Sequence, residues 1–363
     1  MSIRCGIVGL PNVGKSTLYN ALTSAAAAAE NYPFCTIEPN IGIVPVPDPR
    51  LDRIAAITRP ERVVPAAIEF VDIAGLVAGA SKGEGLGNRF LASVRETQAI
   101  AHVVRCFESG DVAHVSGRVS PLDDIETVET ELLLADLEQA ERAWDRAAKA
   151  ARAGGKEARA REALMARAHA HLAAGRPLRS LETGAEEASV LATLSPLTAK
   201  PVLYVANVAE DGFGANPPAE TVETRAHAEG AAAVRVSAAV EAELDGLDEA
   251  ERVEYLAAMG IDEPGLARFV HAAFALLGLQ TFFTTGPKEA RAWTLRRGST
   301  AVQAAGVIHS DFERGFIRAE VVGYEDFVKL GGEQGAKAAG RWRLEGRDYI
   351  IAEGDIVRFR FAV

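Results

Sequence analysis

The sequence predicts an α/β protein with a mostly parallel sheet, interrupted by an inserted helical hairpin and followed by a small α+β module. Three observations lead there. Short β-branched runs alternate with helical stretches in the first part of the chain. One long segment has helical periodicity and no strand character. Near residue 280 the texture changes to strand-like runs separated by glycines.

Residues 3–8, 41–46, 68–71 and 101–106 read as strands, and the pattern resumes at 202–206 and 233–236. Strands spaced by helical stretches indicate βαβ units, whose crossovers leave neighbouring strands parallel. Between these halves lies 123–195, where Leu133, Leu137, Ala140, Trp144, Ala147 and Ala151 step by four and three. That spacing is the seam of a two-helix coiled coil. Gly154-Gly155 interrupts it, a second helical run follows over 156–174, and Gly175-Arg176-Pro177 stops that run. A helix near 262–278 closes the first part. Strands at 292–295, 316–322 and 355–361 then build a module of ordinary small-domain size. The predicted domains are 1–277, interrupted by the insertion at 123–195, and 278–363.

Composition narrows the class. The 363 residues are 48% hydrophobic and 25% charged, as in folded globular proteins. No apolar run reaches the roughly 18 residues that a membrane span needs. The N-terminus enters a strand pattern at once, without the basic-then-apolar layout of a signal peptide. Cys5, Cys35 and Cys106 have neither metal-ligand spacing nor an even count. A cytoplasmic home without membrane attachment is expected. The net charge of −11 argues against a surface that coats nucleic acid everywhere. Charge is nevertheless segregated: 142–179 holds ten Lys and Arg against Asp145, Glu157 and Glu162, a balance of +7, while 123–141 is acidic. Such a block is either a solvated helical face or a partner surface.

The chemistry begins at Gly9-Leu10-Pro11-Asn12-Val13-Gly14-Lys15-Ser16, a glycine-rich loop between a strand ending at Val8 and a helix starting near Lys15. Loop and helix-terminal N–H groups there converge on a phosphate, and the helix dipole favours the same charge. Lys15 is placed to bridge β- and γ-phosphates, with Ser16 as a ligand of Mg²⁺ and Asn12, Val13, Gly14 and Thr17 completing the phosphate contacts. Val71-Asp72-Ile73-Ala74-Gly75 follows an apolar strand and supplies Asp72 for the same metal. Thr36 is the candidate switch threonine on Mg²⁺, with Thr58 as its competitor. Two features depart from the usual GTPase. Leu76 stands where Ras-like enzymes place a water-orienting glutamine. The base-reading sequence is Asn207-Val208-Ala209-Glu210, so a lysine is missing and the acid is one methylene longer than aspartate. A site without its partner for guanine loses its means of rejecting adenine.

GLPNVGKSTLYNALT, YPFCTIEPNIG, VPDPRLD, FVDIAGLVAGASKGEGLGN, HVVRCF, NVAE and KEARAWTLRRGSTAVQAAGVIHSDFERGFIRAEV together resemble the YchF or Obg-like ATPase family over essentially the whole chain. The resemblance implies an Obg-type G domain of the P-loop NTPase class with a coiled-coil insertion, followed by a TGS, ubiquitin-like domain. It implies Mg²⁺-dependent ATP binding in preference to GTP, slow hydrolysis, a response to K⁺ and ribosome binding in translation or stress. The ribosomal contact, with rRNA or a ribosomal protein, is expected at the basic hairpin tip and the TGS domain, by a monomer or weak dimer. It makes His114, in the loop 111–117, the hydrolysis-linked residue beside Lys15, able to orient or deprotonate water as Leu76 cannot. By the same resemblance Asn12 offers oxygen to K⁺, and Ser237 and Ala238 approach the base opposite Asn207, Val208 and Glu210. Cys35 is either an oxidant-accessible thiol or a packing residue. Two other functions stay open: a GTPase of the same architecture, and a nucleotide-gated adaptor with incidental hydrolysis.

Overall fold

A computed structural model describes residues 3–28, 40–73, 86–109, 118–244 and 246–362. Its strands are β1 (Arg4–Val8), β2 (Ile41–Val46), β3 (Arg62–Val64), β4 (Ala66–Asp72), β5 (Ala99–Arg105), β6 (Val202–Asn207), β7 (Ala232–Val236), β8 (Leu279–Thr285), β9 (Glu289–Arg296), β10 (Phe316–Gly323), β11 (Arg343–Glu345) and β12 (Asp355–Phe361). The helices up to the second sheet are α1 (Lys15–Ala28), α2 (Pro49–Thr58), α3 (Leu86–Arg95), α4 (Pro121–Arg152), α5 (Lys156–Ala173), α6 (Ala185–Ala192), α7 (Pro217–Ala228), α8 (Ala238–Leu244), α9 (Glu249–Ala258) and α10 (Gly265–Leu276). Four more lie among the later strands: α11 (Ala301–Ile308), α12 (Ser310–Arg314), α13 (Tyr324–Lys329) and α14 (Glu333–Ala338). No helix among the described residues is long and apolar enough to cross a membrane.

The first sheet runs β2-β4-β1-β5-β6-β7. The β1–β5, β5–β6 and β6–β7 pairs are parallel, as βαβ connections require. β5 and β6 are buried along their whole length, which is why both read as mostly apolar runs rather than as alternating ones. The described residues of 1–21, 40–42 and 70–269 make one compact unit, and those of 22–39, 43–69 and 270–362 make another.

In the first unit the inserted segment is a helical hairpin. α4 opens with Pro121 in its first turn and Asp123 and Asp124 close behind, and it ends with Lys149 and Arg152. Acids at the N-terminus and bases at the C-terminus both oppose the helix dipole, so part of the charge segregation has a local cause. At about 1.5 Å per residue, the 32 residues of α4 extend about 48 Å. Gly154 and Gly155 take positive φ at the turn into α5. The seam is Ala140, Ala143 and Ala147 against Leu164, Met165, Ala168 and Leu172, with Leu133, Leu137 and Trp144 beside it. Small residues on α4 let the two backbones approach, and the Trp144 and His169 rings meet at 5.2 Å between centroids.

The base of the hairpin is tied down by polar groups. Buried Asp136 accepts from Leu197 N at 2.9 Å, and from Thr198 N and Thr198 Oγ1 at 2.7 Å each. Thr198 in turn accepts from Leu178 N at 3.1 Å and Arg179 N at 3.0 Å. Two acids and two guanidiniums close a second brace. Arg179 meets Glu129 and Glu229, Arg225 meets the same two acids, and Tyr204 Oη donates to Glu229 at 2.9 Å. α4, the return from α5, β6 and α7 therefore share one network.

The second unit contains the sheet β11-β10-β12-β8-β9-β3. β8–β9, β10–β12 and β10–β11 are antiparallel, while β12–β8 and β3–β9 are parallel. α11 packs on this sheet through Ala301, Ala304 and Ala305, against Phe282, Phe316 and Phe359. Its start is a capping box, Thr300 accepting from Gln303 N while the Gln303 side chain accepts from Thr300 N. The β3 strand, from residues 62–64, joins this sheet although more than two hundred residues separate it from its neighbour β9.

Candidate nucleotide-binding site

Apart from Thr58, the last residue of α2, the described candidates follow C-terminal ends of strands of the first sheet: 12–17 come after β1, Asp72 ends β4, Asn207 ends β6 with Val208 and Glu210 behind it, and Ser237 and Ala238 follow β7. That end of a parallel sheet is where loops can converge without covering the core.

The loop after β1 is shaped by two glycines and an asparagine. Gly9 takes φ +155°, and a Cβ there would lie 2.5 Å from the Val103 carbonyl oxygen of β5. Gly14 takes φ +95°, with its Cβ position 2.1 Å from Asn207 Nδ2. Asn12 adopts a left-handed φ of +62°, which asparagine tolerates better than most residues. α1 starts at Lys15, and its first N–H groups have no acceptor within the helix. Lys15 Nζ donates to Leu10 O at 2.8 Å, folding back over its own loop. Burial pulls its ammonium down to about 8, with the Asp72 charge opposing. Asp72 shows the reverse: burial raises its carboxyl above the usual range, and Lys15 opposes. In both residues the loss of water outweighs their mutual attraction. Ser16 and Thr17 are exposed on the first turn of α1. The donors here are hard oxygens, one hydroxyl and one carboxylate. Such a pair suits a Mg²⁺ that takes its remaining ligands from phosphates and water.

The candidate base segment, 207–210, is held to the loop after β1 by one side chain. Asn207 is buried; its Nδ2 donates to Val13 O at 2.8 Å and its Oδ1 accepts from Ala238 N at 3.0 Å. Val13, Asn207 and Ala238 are thereby brought together from positions far apart in the chain. Ser237 is buried where α8 begins, its carbonyl accepting from Glu241 N at 3.0 Å. Val208 is buried as well, and Val208 N donates to Val236 O at 2.9 Å. Glu210 is exposed at the start of a short 3-10 turn, Glu210–Phe213.

Two residues of this neighbourhood were not among the site candidates. Arg105 is almost wholly buried at the end of β5. It donates from Nε to Phe107 O at 3.0 Å and reaches Asn12 O from NH1 at 3.4 Å, with its guanidinium 4.5 Å from the Phe107 ring centre. The signal was available: a charged residue inside an otherwise apolar strand run. Tyr255, on α9, sets its hydroxyl beside Glu210, and nothing in the sequence marks it. Thr36, Gly75, Leu76, His114 and Cys35 lie outside the described residues.

Comparison with known proteins adds the following. A family model described as "50S ribosome-binding GTPase" matches residues 4–138. The YchF-GTPase C-terminal model, described as "Protein of unknown function", matches 279–362. The Haemophilus influenzae protein named "Ribosome-binding ATPase YchF" is 58% identical over 363 residues, with all of both chains covered. A Bacillus subtilis protein of the same name is 48% identical over 366 residues, again with full coverage. The solved structure titled a YchF GTPase from Schizosaccharomyces pombe superposes with a TM-score of 0.90 at 35% identity, over 99% of this chain and 98% of that one. A Pyrococcus horikoshii GTP-binding protein, at 20% identity and a TM-score of 0.62, shares the fold alone.

Proposed function

The chain belongs to the YchF family of ribosome-binding ATPases, and from that premise we propose that it holds ATP in preference to GTP and hydrolyses it slowly, as a nucleotide-dependent switch in translation or stress. The names of its relatives disagree on the nucleotide, ATPase for some and GTPase for another. The observation that favours ATP is the base segment. Asn207 keeps its structural role between Val13 and Ala238, while the positions that read guanine have become buried, apolar Val208 and the longer acid Glu210. The Val208 side chain has no group that can bond a base, so the pairing set that would reject adenine is incomplete.

In this reading, Lys15 exchanges the Leu10 carbonyl for β- and γ-phosphate oxygens, and Gly14 and the first N–H groups of α1 cradle the β-phosphate. Val13, Ser16 and Thr17 close the cradle. Ser16, Thr36 and Asp72 are the residues that hold Mg²⁺, which when bound neutralises charge on the phosphates. Asn12 offers its side-chain oxygen to K⁺. His114 positions the attacking water, and Ser237 and Ala238 flank the base opposite Glu210. We assign the G domain to 1–277 with its insertion at 123–195 and the TGS domain to 278–363, and we place the protein in the cytoplasm.

Equilibrium titration with labelled nucleotides, in K⁺ and again in Na⁺, tests the preference. ATP is expected to bind several-fold tighter than GTP, and GTP binding tenfold tighter, about 1.4 kcal/mol, would sink the reading. His114→Ala should leave the ATP Kd unchanged and lower turnover.

The ribosomal contact in this reading is made by the hairpin tip and the TGS domain, and the tip is the part that charge can test. Of the ten bases in 142–179, Arg142 pairs with Glu138, Arg167 with Glu187, and Arg179 belongs to the brace at the hairpin base. Arg146, Lys149, Arg152, Lys156 and Arg159 are exposed and in no ion pair among the described residues. Neutralising these five should weaken co-sedimentation with ribosomes by about tenfold or more at moderate salt, and flatten its salt dependence. Unchanged binding would move the contact elsewhere.

A further inference from the structure

The turn Ser237–Ala238 is anchored to α10 as well as to Asn207. α8 begins at Ala238 and is only seven residues long, too short to hold its own position without neighbours. Glu241, its fourth residue, is almost wholly buried although it carries a carboxyl. Glu241 N donates to Ser237 O at 3.0 Å and closes the first turn. The side chain leaves α8 altogether: Oε1 accepts from Gly265 N at 2.7 Å, and the Leu266 N–H also bonds the carboxyl. Gly265 and Leu266 open α10, where their N–H groups have no acceptor within the helix. Burial raises this carboxyl above its usual range, and the two N–H bonds oppose that. The helices approach closely here. A Cβ on Gly265 would lie 2.9 Å from Glu241 Oε1 and 3.3 Å from Val236 Cα, the residue just before the turn.

We propose that Glu241 is a positioning residue for the base: by tying α8 to the start of α10, it holds Ser237 and Ala238 where they flank the purine. The inference rests on the reading of those two residues as the wall opposite Glu210. Three bonds then fix the turn: Ala238 N to Asn207 Oδ1, Glu241 N to Ser237 O, and Gly265 N to the Glu241 carboxylate. The far end of α8 is held to α9 instead, where Val240 and Leu244 pack with Leu256 and Arg252 donates to Leu244 O at 3.2 Å. The carboxylate is what refers the turn to α10. Without it the N–H groups of Gly265 and Leu266 lose that partner in the interior, and a shift of α8 or α10 is how they regain one. Either shift moves the turn.

The consequence is a loss of binding rather than of chemistry. A wall that touches the base and not the reacting phosphates contributes equally to the ground state and the transition state, so misplacing it weakens both alike. Affinity falls and turnover at saturation holds. A general loosening of the fold would instead lower both.

The test measures the Kd of labelled ATP, and kcat at saturating ATP, in the full-length protein at a temperature where thermal unfolding shows each variant folded. Glu241→Ala should raise the ATP Kd about tenfold and leave kcat within about twofold of wild type. Glu241→Gln keeps an acceptor for Gly265 N and should raise the Kd only about threefold. Gly265→Ala pushes the two helices apart with the carboxylate still present; it should raise the Kd about fivefold, and it decides the question if Glu241→Ala does not fold. A Kd within twofold of wild type in folded Glu241→Ala, or in Gly265→Ala where the first variant is unfolded, overturns the proposal. So does a fall in kcat as large as the rise in Kd. Ala238→Leu tests the underlying reading by itself, since it places bulk in the turn. An unchanged ATP Kd there refutes the base contact at 237–238, whereas weakened binding there with none in Glu241→Ala refutes the role of Glu241 alone.

Discussion

Gly14→Ala is expected to abolish useful nucleotide affinity, raising the ATP Kd by at least about 100-fold, or about 2.7 kcal/mol. Two costs arise together. The φ of +95° lies outside what an L side chain adopts without strain. The added methyl would also lie 2.1 Å from Asn207 Nδ2. A loose side chain would step aside, but Asn207 is buried and held at both ends, by Val13 O and Ala238 N. Either the loop 9–14 or the segment 207–210 must move, and both belong to the proposed nucleotide site. Titration with labelled ATP reads the effect, and a Kd within threefold of wild type would show that the loop absorbs the methyl. In the background of Gly14→Ala, Asn207→Ala frees the space. Thermal stability should then recover in part while affinity does not, a coupling expected of residues in direct contact.

Asp136→Ala should carry the largest stability cost away from the nucleotide. The carboxylate satisfies two buried backbone N–H groups, of Leu197 and Thr198, and the Thr198 hydroxyl. Truncation leaves both N–H groups without that partner, at about 1–3 kcal/mol each, so a loss of about 3–4 kcal/mol is expected in chemical denaturation. Asp136→Asn keeps the shape and one acceptor and should cost about half of that. A loss below about 1 kcal/mol for the alanine variant would mean that water or a shift of 197–198 replaces the bonds. The pH dependence has a definite sign. Burial, ahead of the opposing hydrogen bonds, holds this carboxyl above its usual range in the folded chain. Its protonation therefore favours the folded state, and that share of stability is lost as pH rises from the unfolded carboxyl range through the folded pKa. At neutral pH the hydrogen bonds, rather than the charge, are what the substitution removes.

Several elements were legible without coordinates. The strands at 41–46 and 202–206, the start of α1 at Lys15 and the break at Gly154-Gly155 all follow from local rules: β-branched runs, a glycine-rich loop before a helix, paired glycines at a turn. The hairpin seam was legible too, because a three-four spacing of apolar residues leaves a helix one face to bury. Ala143 joins that seam unannounced, since alanine suits both a helix interior and its surface. β3, β8 and β11 were not read. β3 and β11 are three residues each, too short for a period, and β8 begins directly after α10, where apolar residues of helix and strand run together.

What the sequence by itself determined is the loop from Gly9 to Ser16, its setting between strand and helix, and the departure at Asn207-Val208-Ala209-Glu210 from the usual guanine reader. These rest on residue types at fixed short spacings, where backbone geometry leaves little choice. Only the tertiary structure decided that Asn207 clamps the phosphate loop to Ala238, that Asp136 and Thr198 pin the hairpin, that Arg105 reaches Asn12, and that Tyr255 stands beside Glu210. It also decided which bases of the hairpin are spent on neighbouring acids and which face water. Apart from the Arg142–Glu138 pair, which is one helical turn apart, these depend on residues meeting across about twenty to nearly two hundred positions, and such meetings are set by how strands and helices pack, which no local spacing encodes.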